Sequence, residues 1–318
     1  MKKSVLQKIL LLVGGITLGL LALEITLTAI HFPYSNCPST YPAPQYTLSV
    51  DPDLGWGYTS NTKITSNDGI EYVFNTEGYR TDTQSKLTNV TKPLILIVGD
   101  SILLGHRLPF SESFGYQLQK RLGDRYEVLN FSVIGYGTDQ IVLKTKKLLD
   151  VYHPAYVITD FIEDHANRNV NQDRRIFSSC VLFASTKPLF TIKNGRAVYT
   201  RKPELYTTYD SPKVRLAWRW LVELLRQRIK PYKQTITALL LDELQKYTES
   251  KGAKLLLINV NSDGHLYQSE DTALTRSSVQ INIQDKKYTL PNDAHPNETG
   301  TTYLVEQFVT NFPQYFAK

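Results

Sequence analysis

Three side chains of this protein have the types and the spacing to move an acyl group. Ser101 follows Gly99 and Asp100 at the end of an apolar run, Leu94 to Val98. A serine on a strand-to-helix turn presents its hydroxyl to an ester carbonyl, provided that a base takes its proton. Histidine is the side chain whose ordinary pKa lies nearest working pH, and the chain has six. His31 ends an N-terminal apolar stretch, His153 stands before Pro154, and His106 follows Ser101 so closely that it should point away. His165 adjoins Asp164, and His265 lies in a polar stretch with no evident partner. His295 differs, because it stands two residues after a carboxylate in Asp293-Ala294-His295-Pro296-Asn297. Residues two apart in extended chain face the same way. Asp293 can therefore orient one ring nitrogen while the other faces Ser101. Taken singly, each motif is also explained as a turn, since Gly, Asp, Asn and Pro commonly end strands and shape loops.

Such residues need a scaffold that brings positions almost two hundred residues apart together. Leu94 to Val98 reads as a strand buried on both faces. Ser111 reads as the cap of a helix that stops at Gly123. Tyr126 to Phe131 is a second strand, Thr138 caps a helix through Leu149, and Ala155 to Ile162 is a third strand. A helix from Thr235 to Ser250, a fourth strand from Ala253 to Val260 and a closing helix from Gly300 to Phe312 complete the alternation. That order predicts right-handed βαβ units in a parallel sheet of about five strands. Residues 170–231 interrupt it. There PLFTIKNGRAVYT reads as a hairpin turning at Asn194-Gly195. RLAWRWLVELLRQRI reads as an amphipathic helix with Leu216, Trp220 and Leu224 packed on the domain. Asp51 to Arg80 reads as a small strand-rich collar.

The chain has 318 residues, 42% of them hydrophobic and 21% charged, a globular composition with an apolar addition at the front. That addition is Ile9 to Ile30, preceded by Lys2, Lys3 and Lys8. It is long enough to span a bilayer, and lysines on its leading side place the N-terminus in the cytoplasm. The exit, LTAIHFPYSN, offers a poor cleavage site. The segment is therefore read as an uncleaved signal anchor in the inner or cell membrane. Residues 1–8 form a cytoplasmic tail, 9–30 the single span, and 31–93 a stem with the collar. Residues 94–318 form the main domain, with an insertion at about 170–231, on the periplasmic or extracellular side. Glu24 is expected to be protonated or to reach the outer interface. Gly15 and Gly19 have the spacing through which two such helices pair, which would give a homodimer. A net charge of +6 without a dense Lys/Arg cluster argues against nucleic acid as a partner. Cys37 and Cys180 do not have zinc-site spacing. Outside the cytoplasm they pair or stand as two separate thiols.

Gly99-Asp100-Ser101, Asn130-Phe131-Ser132-Val133-Ile134-Gly135-Tyr136-Gly137 and Asp293-Ala294-His295-Pro296-Asn297, in that order, resemble the blocks of the SGNH/GDSL hydrolase family. The stem motifs DPDLGW and NTEGYR look like those of its membrane-anchored bacterial members. The resemblance covers Leu94 to the C-terminus. It implies a three-layer, flavodoxin-like α/β fold with a parallel sheet and helices on both faces, preceded here by the transmembrane helix. It also implies Ser101 as nucleophile, His295 as general base and then acid, and Asp293 as its orienter. The oxyanion hole would use the backbone N–H groups of Ser101 and Gly135, with no metal or cofactor. One block departs from the pattern. Asp160-Phe161-Ile162-Glu163-Asp164 places Glu163 where the family carries an asparagine donor, and Asn167 or Asn169 are the alternatives. For activity Glu163 must either be neutral or point away from the oxyanion, and at the end of a buried strand and beside Asp164 it is expected to be neutral and to donate a hydrogen bond. The implied activity is ester hydrolysis or acyl transfer on an O-acylated, chiefly O-acetylated, cell-envelope glycan. The rivals are a lipid or thioester esterase, and a degenerate domain that binds glycan or scaffolds an envelope assembly.

Overall fold

The computed structural model describes residues 2–33, 48–66, 68–83, 91–176, 183–262 and 277–316. Cys37, Cys180 and His265 lie outside the described residues. The chain opens with one long helix, α1 (Lys2–Ala29), whose apolar side chains from Val5 to Ala29 face outward. Strands β1 (Leu48–Asp51) and β2 (Gly55–Tyr58) form a separate antiparallel pair. Then β3 (Thr62–Thr65), β4 (Glu71–Phe74) and β5 (Arg80–Thr81) lead to the central strand β6 (Leu94–Ile97). After it come α2 (Ser101–Leu104), α3 (Phe114–Leu122), β7 (Glu127–Asn130), α4 (Thr138–Leu149), β8 (Tyr156–Phe161) and α5 (Glu163–Arg168). The interrupting segment holds β9 (Leu189–Lys193), β10 (Arg196–Arg201), α6 (Tyr206–Tyr209) and α7 (Lys213–Arg228). Finally α8 (Lys230–Ser250), β11 (Lys254–Val260), β12 (Ser278–Ile281) and α9 (Glu298–Asn311) complete the domain.

The main sheet runs β12-β11-β8-β6-β7-β5-β4-β3. Its first five strands pair in parallel. Counted along the chain, those five stand in the order 2-1-3-4-5, the doubly wound, flavodoxin-like arrangement. The pattern in the sequence explains the layers. Ile95 and Ile97 point to one face with Ile158, Leu256 and Ile258, covered by Phe114, Leu118, Leu304 and Phe308 of α3 and α9. Leu96 and Val98 point to the other with Val157, Leu255 and Leu257, covered by Ile141, Ile236, Leu240 and Leu244 of α4 and α8. Both faces are dry, so the strands read as continuous apolar runs.

Several local expectations need correction. The cap of α3 is Ser113, whose Oγ accepts the Tyr116 N–H at 3.5 Å; Ser111 lies in a preceding 3-10 turn. Thr138 is the first residue of α4, capped by Gly137. The collar is not separate from the sheet, because β5 pairs with β7 at Arg80 and Asn130 and carries β4 and β3 with it. The hairpin turn at Asn194 and Gly195 forms as read, both residues having positive φ. In α7, Leu216 is buried, but Leu224 is exposed.

The collar strand has a second use. Arg80 is buried, and its guanidinium donates to the carbonyls of Leu104 at 2.6 Å, Gly105 at 2.8 Å and Leu108 at 2.5 Å. The first two are orphan acceptors at the end of α2, the short helix that begins with Ser101, and the third lies in the loop that follows. Burial pushes the Arg80 pKa down to about 10, so the side chain stays charged at neutral pH. Arg80→Met should leave three buried carbonyls unsatisfied and lower stability in urea unfolding by about 3 kcal/mol or more. A loss below about 1 kcal/mol would show that Arg80 does not hold α2.

Candidate active site

In a sheet of this order, the crevice opens at the carboxyl ends of the strands where the connections reverse direction. That point falls between β6 and β8. Gly99 closes β6 against β8 so tightly that a Cβ there would meet Asp160 Oδ1 at 2.5 Å, which fixes glycine at this position. Asp100 follows, and its Oδ1 accepts the Ile102 N–H at 2.8 Å, capping α2 from outside. Ser101 therefore starts the helix with its side chain at the crevice, 5% exposed.

The nucleophile turn is clasped to the next loop. Gly99 N–H donates to Ser132 Oγ at 3.0 Å, and Val133 N–H donates back to the Gly99 carbonyl at 3.0 Å. Gly135 lies two residues beyond, with φ +76, and Phe183 packs where its side chain would be, 2.8 Å from an ideal Cβ. Phe183 itself stacks on Trp56 with ring centroids 3.8 Å apart, and Trp56 Nε1 donates to the Ile134 carbonyl at 2.9 Å.

His295 arrives from the loop before α9. Its Nε2 lies 2.8 Å from Ser101 Oγ, and its Nδ1 lies 2.5 Å from Asp293 Oδ1. Asp293 Oδ1 also accepts the His295 backbone N–H at 3.0 Å, which locks the two-residue spacing. With a proton on Nδ1 held by the carboxylate, Nε2 is the acceptor facing the serine hydroxyl. The His295 hydrogen bond holds Asp293 well below the usual carboxylate range, against the opposing effect of burial.

The structure adds residues that sequence reading missed. Arg107 donates from Nη1 to Asp293 Oδ2 at 3.3 Å and from Nε to Asp68 Oδ2 at 2.8 Å. Its backbone N–H donates to the Tyr72 hydroxyl at 2.7 Å, and its φ is +58. Arg107 thus tethers the acid of the triad to the collar. His106 does not point away: its ring meets that of His295 with centroids 4.6 Å apart and planes at 61°. Burial, and next the neighbouring His295, push the His106 pKa down to about 4.

Behind Ser101 sits a buried polar group. Asp100 Oδ2 meets His165 Nε2 at 3.1 Å and Arg168 Nη1 at 3.0 Å, and the Asp100 N–H donates to Asp160 Oδ1 at 3.1 Å. Burial opposes a charge on Asp100, but the His165 hydrogen bond and the cation of Arg168 bring it well below the usual range. Burial and then the Asp100 charge push the Asp160 pKa well above that range. Arg168 also donates to the Tyr136 carbonyl at 2.7 Å, joining the turns after β6 and β7.

Glu163 departs from expectation. It opens α5 with an exposed side chain, so the burial that was to keep it neutral is absent. Asn169 is committed elsewhere, accepting the Asp139 N–H at 3.3 Å and donating to Thr237 Oγ1 at 3.0 Å. Asn167 Oδ1 accepts from Lys233 Nζ at 2.9 Å. His165, which adjoins Asp164 in sequence, is bonded to Asp100 instead, and Asp164 pairs with Arg168. Among the described residues, two groups have donor atoms close enough for a cation: His106, Asp293 and His295, and Asp100, Asp160 and His165. In the first the His295 nitrogens already face Ser101 and Asp293, and in the second Arg168 occupies the Asp100 oxygen.

No protein-family model matches the sequence, and neither does any curated protein. Solved structures similar to this chain include TesA, at 16% identity and TM-score 0.40 over 70% of this chain and 98% of that one. Another is the psychrotrophic esterase EstA from Pseudoalteromonas sp., at 15% identity and TM-score 0.40 over 71% and 100%. A third is AlinE4, an SGNH-hydrolase family esterase, at 16% identity and TM-score 0.27 over 73% and 100%. The fold assignment rests on the strand order and the two dry faces of the sheet, and the chemistry rests on the site geometry.

The half-buried His106 gives a pH-dependent expectation. Its pKa is lower folded than its ordinary 6.5, so the unfolded chain binds the extra proton first. Stability from its burial is present above pH 6.5 and is lost as pH falls towards about 4. His106→Phe should remove about 2–3 kcal/mol of that acid-side loss, read from urea unfolding at a series of pH values. Identical pH slopes for the two proteins would contradict the half-buried, neutral His106.

Proposed function

We propose that the protein is a serine-dependent acyl-ester hydrolase or acyltransferase of the SGNH type, anchored in a membrane by α1. The observation that carries this reading is the unbroken chain from Asp293 through His295 to Ser101, at 2.5 and 2.8 Å. In it, His295 Nε2 takes the Ser101 proton as Oγ attacks the carbonyl carbon, and Asp293 stabilises the imidazolium. The backbone N–H groups of Ser101 and Gly135 receive the charge that develops on the carbonyl oxygen. Collapse breaks the ester bond, and His295 returns its proton to the departing alcohol. Water or a sugar hydroxyl then attacks the acyl-serine by the same route in reverse.

The substrate we infer is an O-acylated, chiefly O-acetylated, glycan of the cell envelope. Two features support it. An open cavity of about 530 Å³ adjoins the Asp293 loop, and its walls mix Asn261, Gln284, Lys286 and Asn292, which can bond sugar hydroxyls, with the apolar Leu290, Pro291 and Ala294. Phe183, pressed over Gly135, leaves less room for a long acyl chain beside the oxyanion position than for a small one. A second reading, a domain that binds glycan without turnover, is favoured by the side chains after β8: Glu163 turns outward in α5, and Asn167 and Asn169 are bonded elsewhere, so none of the three supplies the third oxyanion donor.

The two readings separate in hydrolysis of a small acetyl ester. Ser101→Ala should lower kcat by about 10⁴-fold or more. Glu163→Asn should match the wild type, because an outward-turned side chain supplies no oxyanion donor, whereas loss of such a donor costs on the order of 100-fold to 1,000-fold. Turnover that survives Ser101→Ala would remove the serine mechanism, and a folded wild type without turnover would leave the binding reading.

A further inference from the structure

The long N-terminal helix carries a carboxylate that the hydrolase reading does not use. Glu24 lies five residues before the end of α1, about 7.5 Å below it along the axis. It is neither idle nor aimed at bulk water. Its Oε1 accepts the Lys213 N–H and its Oε2 the Val214 N–H, both at 2.8 Å. These are the first two N–H groups of α7, whose own N-cap, Pro212, supplies no side-chain acceptor. A carboxylate suits that position, since orphan donors and the helix dipole both favour negative charge there. Just beyond, Phe32 meets Trp220 edge-on with centroids 5.0 Å apart. Glu24 and Phe32 therefore pin the first half of α7 to the outer end of α1.

What α7 leaves uncovered fits that position. Leu216 and Glu223 face inward. The opposite face carries Trp218 at 65% exposure, Leu221 at 47%, Leu225 at 54% and Ile229 at 51%. Their spacing of three to four residues makes one continuous apolar stripe about 16 Å long. Residues 213–230 hold six Lys and Arg against the single acid Glu223, which is buried. An apolar stripe with tryptophan, flanked by cations, is the composition of a helix lying in a headgroup layer. The apolar part of α1, Val5–Ala29, has 25 residues. It is about 37 Å long against a hydrocarbon core of about 30 Å, which places Glu24 near the boundary of that core.

From this continuity and charge we infer that α7 is a membrane-interface helix. Its Trp218–Leu221–Leu225 face docks on the anionic lipid surface of the bilayer that α1 spans. Glu24 is the latch that sets its depth. The inference rests on the reading of α1 as a membrane span, and it is independent of the serine chemistry. Its consequence is that the domain is held down on the lipid by two elements and does not swing freely on a stem.

The test uses the full chain in nanodiscs of phosphatidylglycerol and phosphatidylcholine, with acyl chains either ordinary or brominated near the headgroup. Wild type minus Trp218→Phe gives the emission of Trp218. Brominated lipid is expected to quench about half of it or more. Leu221→Glu with Leu225→Glu, at two exposed positions, should raise the quenched intensity roughly twofold, back towards the unquenched level, with an unchanged near-ultraviolet circular dichroism spectrum. A chain that resists carbonate extraction while its Trp218 emission ignores bromination would overturn the inference and leave the span intact. Release by carbonate, or a mature chain beginning beyond α1, would overturn both. Shielding of Trp218 that requires two chains per disc and not brominated lipid would assign the face to a second copy and overturn it as well.

Discussion

A carboxylate with no exposed surface, Asp100, stands immediately before the serine, and the arrangement around it depends on keeping that charge satisfied. Transfer of an ionised group into a dry interior is unfavourable by several kcal/mol unless cations and donors surround it. Here Ile102 N–H, His165 and Arg168 do so, while burial and the Asp100 charge disfavour a second charge on the neighbouring Asp160. The same contacts that stabilise the charge fix the geometry of the crevice. Capping by Asp100 starts α2 at Ser101. Arg168 reaches from α5 to Asp100 on one turn and to the Tyr136 carbonyl on the next. Loss of Arg168 would thus act on the Ser101 turn and the Tyr136 loop together.

The segment that interrupts the alternation is held by the same kind of compensation. Lys187 pairs with Asp139 of α4, both fully buried. Arg175 bridges Asp173 and Asp210, and Glu223 of α7 accepts the N–H groups of Gln172 and Asp173. Burial, and then Asp173, push the Glu223 pKa up to about 7. Buried ion pairs contribute little net stability, but removal of one partner is strongly destabilising. They therefore specify one placement for the insertion, and with it the position of α7 beside α1.

The parallel strands and the candidate triad were legible because their signals are local. Leu94 to Val98 and Ala253 to Val260 are apolar on both faces, which few structures other than a covered parallel strand explain. Asp293 and His295 are two residues apart, so their pairing follows from chain geometry. The rest was not legible for a physical reason. Arg107 meets Asp293 across 186 positions, Glu24 meets Lys213 across 189, and Arg168 meets Asp100 across 68. Glu24, Asp100 and Asp293 stand out in the sequence, but nothing in it marks Arg107, Arg168 or Lys213 as their partners. Glu163 was misplaced by treating it as the end of β8, whereas the strand stops at Phe161 and the residue turns outward in α5. His106 was misjudged in the same way, because Gly105 at φ +78 and Arg107 at φ +58 redirect the chain back over the site.

The claim on which the functional reading stands is that Ser101 is a nucleophile activated by His295. Reaction of the full chain with a fluorophosphonate, followed by peptide mass mapping, tests it most directly. The account predicts one phosphonyl adduct, on Ser101, formed by the wild type and absent from both Ser101→Ala and His295→Ala. An unmodified Ser101 in folded wild-type protein, or an adduct that forms equally fast without His295, would contradict it.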